Sequence, residues 1–128
     1  MSFSRGMFVC PSKESVLHHE CSVFMRARGW RRIAHEWNVV RGDEAQGKGD
    51  LVFVKDTLYC VIECKRRMGT KVEEQARFYG AAWKLRHAKE GFHVLYGIWT
   101  CRRKRILGVI STNEEARALC RRPVCDVI

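Results

Sequence analysis

The sequence predicts a mixed α/β domain, a central sheet flanked by helices, spanning residues 1–128 as one unit. Three observations predict it. Helix-periodic stretches alternate with short apolar runs in the order α-β-β-β-α-β, and a β-α tail follows. The turns between them are short and polar, with no repeat, low-complexity tract or linker. A hydrophobic content of 46% over 128 residues supports a packed core rather than a disordered chain. The core is expected over about residues 12–100, with a C-terminal extension over about 101–128.

Each element has its own signal. Residues 1–11 read as irregular. A helix begins at Ser12 or Lys13, runs to about Arg28 and stops at Gly29. Val16, Leu17, Val23, Phe24 and Ala27 fall near helical period and mark its apolar face, with Glu20 in the middle of that face. Residues 30–40 read as a strand, Arg41 to Gly49 as a polar loop, and Asp50 to Val54 as a second strand. Lys55-Asp56-Thr57 is a tight turn into a third strand, Leu58 to Lys65 or Arg66. A second helix runs from Val72 to about Lys89, with Val72, Ala76, Tyr79 and Trp83 on one stripe and Gly91 as its stop. Phe92 to Thr100 is a fourth strand and Arg105 to Ile110 a fifth. Asn113 caps a last helix, Glu114 to Arg121, which has acids in its first turn and an arginine in its last.

Charge narrows the partners. Lys and Arg total 24 against 14 Asp and Glu, a formal +10, which favours a polyanion: nucleic acid or an anionic membrane surface. No apolar run approaches the ~20 residues of a membrane-spanning helix. The opening MSFSRGMFVCPSK lacks the apolar stretch of a secretory signal, so a reducing intracellular compartment, cytoplasm or nucleus, is expected. Seven cysteines, irregularly spaced and several within apolar runs, read as small core residues.

Three charged residues interrupt the strands. Asp50 opens one apolar run, and Glu63 and Lys65 sit near the end of the next. Residues two apart on a strand share a face, so Glu63 and Lys65 point the same way as Val61, while Ile62 and Cys64 point the other way. Two carboxylates brought together repel unless a cation lies between them. The pair with a neighbouring ammonium suggests a hard-metal site with a positioned lysine. Each part also has an ordinary reading. Gly49-Asp50 is common turn chemistry, Glu20 can pair with an arginine, and Glu14, nearer the helix start, competes with Glu20 while suiting a capping role. The His18-His19-Glu20 run does not make a zinc site by itself, because adjacent helical residues point to different sides.

Gly49-Asp50 followed by Glu63-Cys64-Lys65, set in an α-β-β-β-α-β order, resembles the PD-(D/E)XK nuclease superfamily over roughly residues 12–100. The resemblance implies a restriction-endonuclease-like core. Gly49 stands where that motif often has proline. Gln75-Ala-Arg-Phe-Tyr79 is similar to the Q-x-x-x-Y signature of the RecB-like branch, and Gln75 and Tyr79 are one turn apart on one helix face. The first helix followed by Gly29-Trp30 is similar to archaeal Holliday-junction resolvases and VRR-NUC-type domains, whose helix-borne Glu maps best on Glu20.

What the resemblance implies is Mg²⁺-dependent hydrolysis of phosphodiesters, with Mn²⁺ able to substitute. Asp50, Glu63 and the Cys64 backbone carbonyl are the expected ligands, with Glu20 serving a second ion or a water. Lys65 is expected to position the attacking water or stabilise developing charge. Gln75 would orient Lys65 or that water, and Tyr79 would touch the nucleic-acid backbone. Lys48, Arg66, Arg67, Lys71, Arg102 and Arg103, with Arg77, Lys84, Arg86, Lys104 and Arg105, supply the phosphate-binding surface. The expected partner is DNA, duplex, branched or with ends, with RNA remaining open. A junction-resolving endonuclease acting as a two-fold dimer, a RecB-like exonuclease and a catalytically silent binding module on the same fold are the alternatives. One further arrangement, an iron–sulfur cluster on Cys10, Cys101, Cys120 and Cys125, fits the cysteine count of some RecB-like nucleases but has loose spacing.

Overall fold

The computed structural model of the protein describes residues 9–121. Helix α1 (Glu14–Ala27) leads into strands β1 (Arg31–Arg41), β2 (Glu44–Lys55) and β3 (Leu58–Cys64). Helix α2 (Thr70–Arg86), strands β4 (His93–Thr100) and β5 (Arg103–Ile110) and helix α3 (Asn113–Arg121) follow. The fold is the mixed α/β arrangement expected. The five strands form one sheet in the order β1-β2-β3-β4-β5. Neighbours are antiparallel except β3 and β4, which run parallel. A parallel pair needs a crossover, and α2 supplies it.

The sheet is covered on both faces. On one, Leu17, Cys21 and Met25 of α1 meet Leu51, Phe53, Cys60, Ile62, Cys64 and Trp99. On the other, Phe78, Tyr79 and Trp83 of α2 and Ala116 and Cys120 of α3 meet Val52, Tyr59, Val61, Val94 and Tyr96. The alternation along β3 assigns its side chains to these faces, as the two-residue period requires.

Four local expectations are corrected. Residues 41–49 are mostly strand, not loop: Arg41 pairs with Glu44 across a two-residue turn, with Gly42 at φ +62, and β2 continues from there. The buried stripe of α1 is Leu17, Cys21 and Met25, while Val16 and Val23 are exposed. That i, i+4, i+8 stripe faces the sheet and moves Glu20 to its flank. Helix α2 ends at Arg86, before Gly91, where His87 and Ala88 both donate their N–H groups to the Trp83 carbonyl. The cap of α3 is Thr112 rather than Asn113. Thr112 Oγ1 accepts the Glu115 N–H at 3.1 Å, and Glu115 Oε1 accepts the Thr112 N–H at 3.0 Å, a capping box.

Candidate metal centre at the fork of β2 and β3

Strands β2 and β3 part at Asp50 and Glu63. Their ladder runs from Lys55↔Leu58 to Leu51↔Ile62, so Asp50 and Glu63 are the next opposed pair. Beyond that point β2 continues with β1 alone. Side chains replace the missing ladder bonds. The Asp50 N–H donates to Glu63 Oε2 at 3.1 Å, and the Cys64 N–H donates to Asp50 Oδ2 at 2.7 Å. The two carboxylates are thereby fixed side by side at a strand end.

Burial sets the electrostatics. Glu63 is 1% exposed. Loss of solvent, then the Asp50 carboxylate, push its pKa well above the ordinary value, with Lys65 opposing. Lys65 is half-buried, and its N–H continues the sheet to the Trp99 carbonyl at 3.0 Å. A divalent cation would relieve the repulsion between Asp50 and Glu63, so the donor set fits a hard ion.

Gln75 and Tyr79 come to this site from α2. Gln75 Nε2 donates to the Tyr79 hydroxyl at 3.2 Å. Tyr79 has a raised pKa, from burial first and the Glu63 carboxylate second, which puts its hydroxyl in the field of the acid pair. Its ring is buried, so it braces the site from behind and is not a surface contact for a nucleic-acid backbone.

Helix α1 presents a different residue from the one expected. His18 Nε2 lies 3.4 Å from Asp50 Oδ1. Glu20 instead faces the turn between β4 and β5, with Oε2 3.7 Å from Arg102 Nε. At about 100° per residue the two side chains diverge by roughly 160° around the helix. One points toward β1 and β2, the other toward β4 and β5. Glu14, the competing acid, is exposed at the helix start. His18 Nδ1 is 3.1 Å from His35 Nε2 on β1, and His35 Nε2 is 3.7 Å from Glu36 Oε2. Nothing in local sequence marks His18, because its partners lie on strands far along the chain.

The basic residues gather at the same end of the sheet. Cys64 pairs with Trp99 and Thr100 with Arg103, so Arg66 and Arg67 leave the sheet beside the turn that carries Arg102. Lys48, Arg66, Arg67, Lys71, Arg102 and Arg103 are exposed. Arg66 is anchored, since its Nε donates to the Cys10 carbonyl at 2.9 Å and its carbonyl accepts the Cys10 N–H at 2.6 Å. Lys84 is not on this surface: it is buried, and its Nζ donates to the Phe92 carbonyl at 2.6 Å. The four-cysteine arrangement is not assembled. Cys10 meets Cys101 on the α1 face, Cys120 lies on the opposite face, and Cys125 is outside the described residues.

No protein-family model matches the chain, and no curated protein matches it in sequence. No helix among the described residues is long and apolar enough to cross a membrane.

Proposed function

We propose that the protein is a metal-dependent nuclease that hydrolyses phosphodiester bonds of DNA. One observation carries this reading: the Asp50 and Glu63 carboxylates are held together at the fork of β2 and β3 by the N–H groups of Cys64 and Asp50, with Lys65 just past the end of β3. When bound, Mg²⁺ or Mn²⁺ would neutralise phosphate charge, lower the pKa of a water and stabilise the leaving oxygen.

The chain supplies the rest. Asp50, Glu63 and the Cys64 carbonyl would hold the cation by oxygen. The Lys65 ammonium stands near the carboxylates and stabilises charge developing on the scissile phosphate. Gln75, tied to Tyr79, keeps its amide oriented at the wall of the site. Arg67, Lys71, Arg102 and Arg103 place the phosphate backbone without reading bases.

The finer reading is a structure-selective endonuclease of the junction-resolving kind, working as a homodimer that nicks two strands. The assembled Gln75–Tyr79 pair favours the exonuclease reading as the second choice. Labelled single strands, duplexes, flaps, four-way junctions and RNA, each with Mg²⁺, Mn²⁺ or EDTA, separate these readings. Junction cleavage that needs metal supports the first, and end-dependent shortening the second. Cleavage of RNA alone moves the substrate class. Binding without cleavage, or cleavage unchanged in the Glu63→Ala and Lys65→Ala variants, would overturn the assignment.

A further inference from the structure

The α1 side of the fork adds a nitrogen and a sulfur donor to the oxygen of Asp50. His18 Nε2, an Asp50 carboxylate oxygen and Cys64 Sγ lie within 4.8 Å of one another. They come from three elements, α1, β2 and β3, which meet only in the folded chain. His18 and Asp50 are 15% and 16% exposed in their side chains, and Cys64 is buried. The site is therefore enclosed but open at one side.

Its geometry approaches that of a tetrahedral ion. Nitrogen and oxygen ligands at about 2.1 Å from zinc stand about 3.4 Å apart, and His18 Nε2 and Asp50 Oδ1 are 3.4 Å apart. Yet this approach is not a hydrogen bond, and buried Nε2 has no hydrogen-bond partner among the described residues. A buried ring nitrogen this close to a carboxylate, without hydrogen-bond geometry, is what a coordinated cation would explain. The ring is also oriented from behind. Its Nδ1 meets His35 Nε2 at 3.1 Å, as ligating histidines are held by their second nitrogen. The hydrogen bond with Cys21, one turn beyond His18 on α1, and then burial push the Cys64 thiol up, so a bound ion must displace its proton.

Nitrogen, oxygen and sulfur together are the donors that Zn²⁺ takes, whereas Mg²⁺ takes oxygen and is reluctant to dehydrate. We infer that His18, Asp50 and Cys64 form a second metal site, selective for ions of the Zn²⁺ class, that shares Asp50 with the hard-cation site. On binding, the Cys64 S–H bond breaks, a sulfur–metal bond forms and the proton leaves to solvent, with no change of oxidation state. Three protein ligands leave a fourth position for water or another small ligand. The binding claim stands on this geometry alone. One consequence rests on the nuclease reading: an ion here draws on Asp50 and so inhibits Mg²⁺-supported cleavage.

The test uses the full, reduced, metal-stripped chain and Co²⁺ as a coloured stand-in for Zn²⁺. One equivalent of Co²⁺ should give a near-ultraviolet thiolate band with visible bands of a four-coordinate ion. Zn²⁺ should bleach them, and excess Mg²⁺ should not. Cys64→Ser should lose the near-ultraviolet band while Cys21→Ser and Cys10→Ser keep it. His18→Gln, at a partly exposed position, should weaken Co²⁺ binding at least ~10-fold, and His35→Gln by about 10-fold. Mn²⁺ binding followed by electron paramagnetic resonance should persist in Cys64→Ser. No thiolate band in the wild type, a band that survives Cys64→Ser, or affinity unchanged in His18→Gln would each overturn the site. These readouts need no cleavage, so a protein that binds Co²⁺ as described yet cuts nothing refutes the nuclease reading and leaves the metal site standing.

Discussion

Glu63 is a buried carboxylate beside a second carboxylate, so folding disfavours its ionised form. Its pKa is raised in the folded chain, by burial first and by Asp50 next. The sign of the linkage follows. Below the ordinary carboxylate value of 4.5 its contribution to stability is fully present, and it is lost as pH rises through the raised folded value. In EDTA, Glu63→Gln should therefore melt higher than the wild type at pH 8, by about 4 °C for each kcal/mol recovered, and the gap should close toward pH 4.5. Gln keeps an oxygen to accept the Asp50 N–H, so the fork survives. Cleavage should nonetheless fall ~100-fold or more. Thermal melts across pH, read by circular dichroism, check the first part, and identical pH dependence in both proteins contradicts it. This residue was legible in sequence, because an acid within a strand is conspicuous. The helix-borne partner was not. Val16 and Val23 suggested a face centred near Glu20, but the buried stripe centres on Cys21 and leaves Glu20 and His18 on opposite flanks. Cysteine is apolar enough to direct that choice, yet it weighs little in a reading of Val, Leu and Phe.

The fork itself belongs to the level of elements. Residues 44–49 show no alternating apolar pattern because they extend beyond β3 and pair with β1 only. A strand without a core face reads as a loop, so the hairpin was hidden while the strands flanking it were plain. Its register depends on one close approach. Gly49 lies opposite Trp37, and a Cβ added to Gly49 would clash with the indole. That ring cannot yield easily, since Trp37 is 8% exposed and stacks edge-on against Trp83 with centroids 5.1 Å apart. The space over Gly49 explains why a small residue precedes Asp50. Gly49→Ala should cost about 1–3 kcal/mol by overcrowding the core. It should also shift Asp50, its immediate neighbour, so metal affinity should fall together with the melting temperature. A variant that melts and binds Mn²⁺ like the wild type would show that Trp37 does not set this register. Chain order was easier to read than register, because helix and strand periods are local whereas the parting of β2 from β3 depends on where β3 stops.

At the scale of the molecule, a net charge of +10 is distributed by topology. The parallel pairing of β3 with β4 brings the exits of both strands to one edge, and with them Arg66, Arg67, Arg102 and Arg103. Some of these charges are already engaged: Arg66 holds Cys10, Arg102 faces Glu20 at 3.7 Å, and Arg105 faces Glu73 at 3.5 Å. Arg67 and Arg103 are exposed and make no ion pair among the described residues, so they are the better candidates for phosphate contacts. Each phosphate neutralised releases condensed counterions, and affinity then falls linearly in log–log form with salt. On the nuclease reading, duplex binding by the Glu63→Gln variant, expected to bind with little cutting, should weaken steeply between about 50 and 200 mM salt. Arg67→Ala and Arg103→Ala should each lower affinity about equally for unrelated sequences and reduce the slope by about 1. Lys84→Ala should leave the slope alone, because that ammonium is buried against the Phe92 carbonyl, and should register as lost stability instead. Fluorescence anisotropy across a salt series measures all four slopes. If Arg67→Ala and Arg103→Ala keep the wild-type slope, the basic edge is a solvated surface, and the nucleic-acid path must leave the fork in another direction.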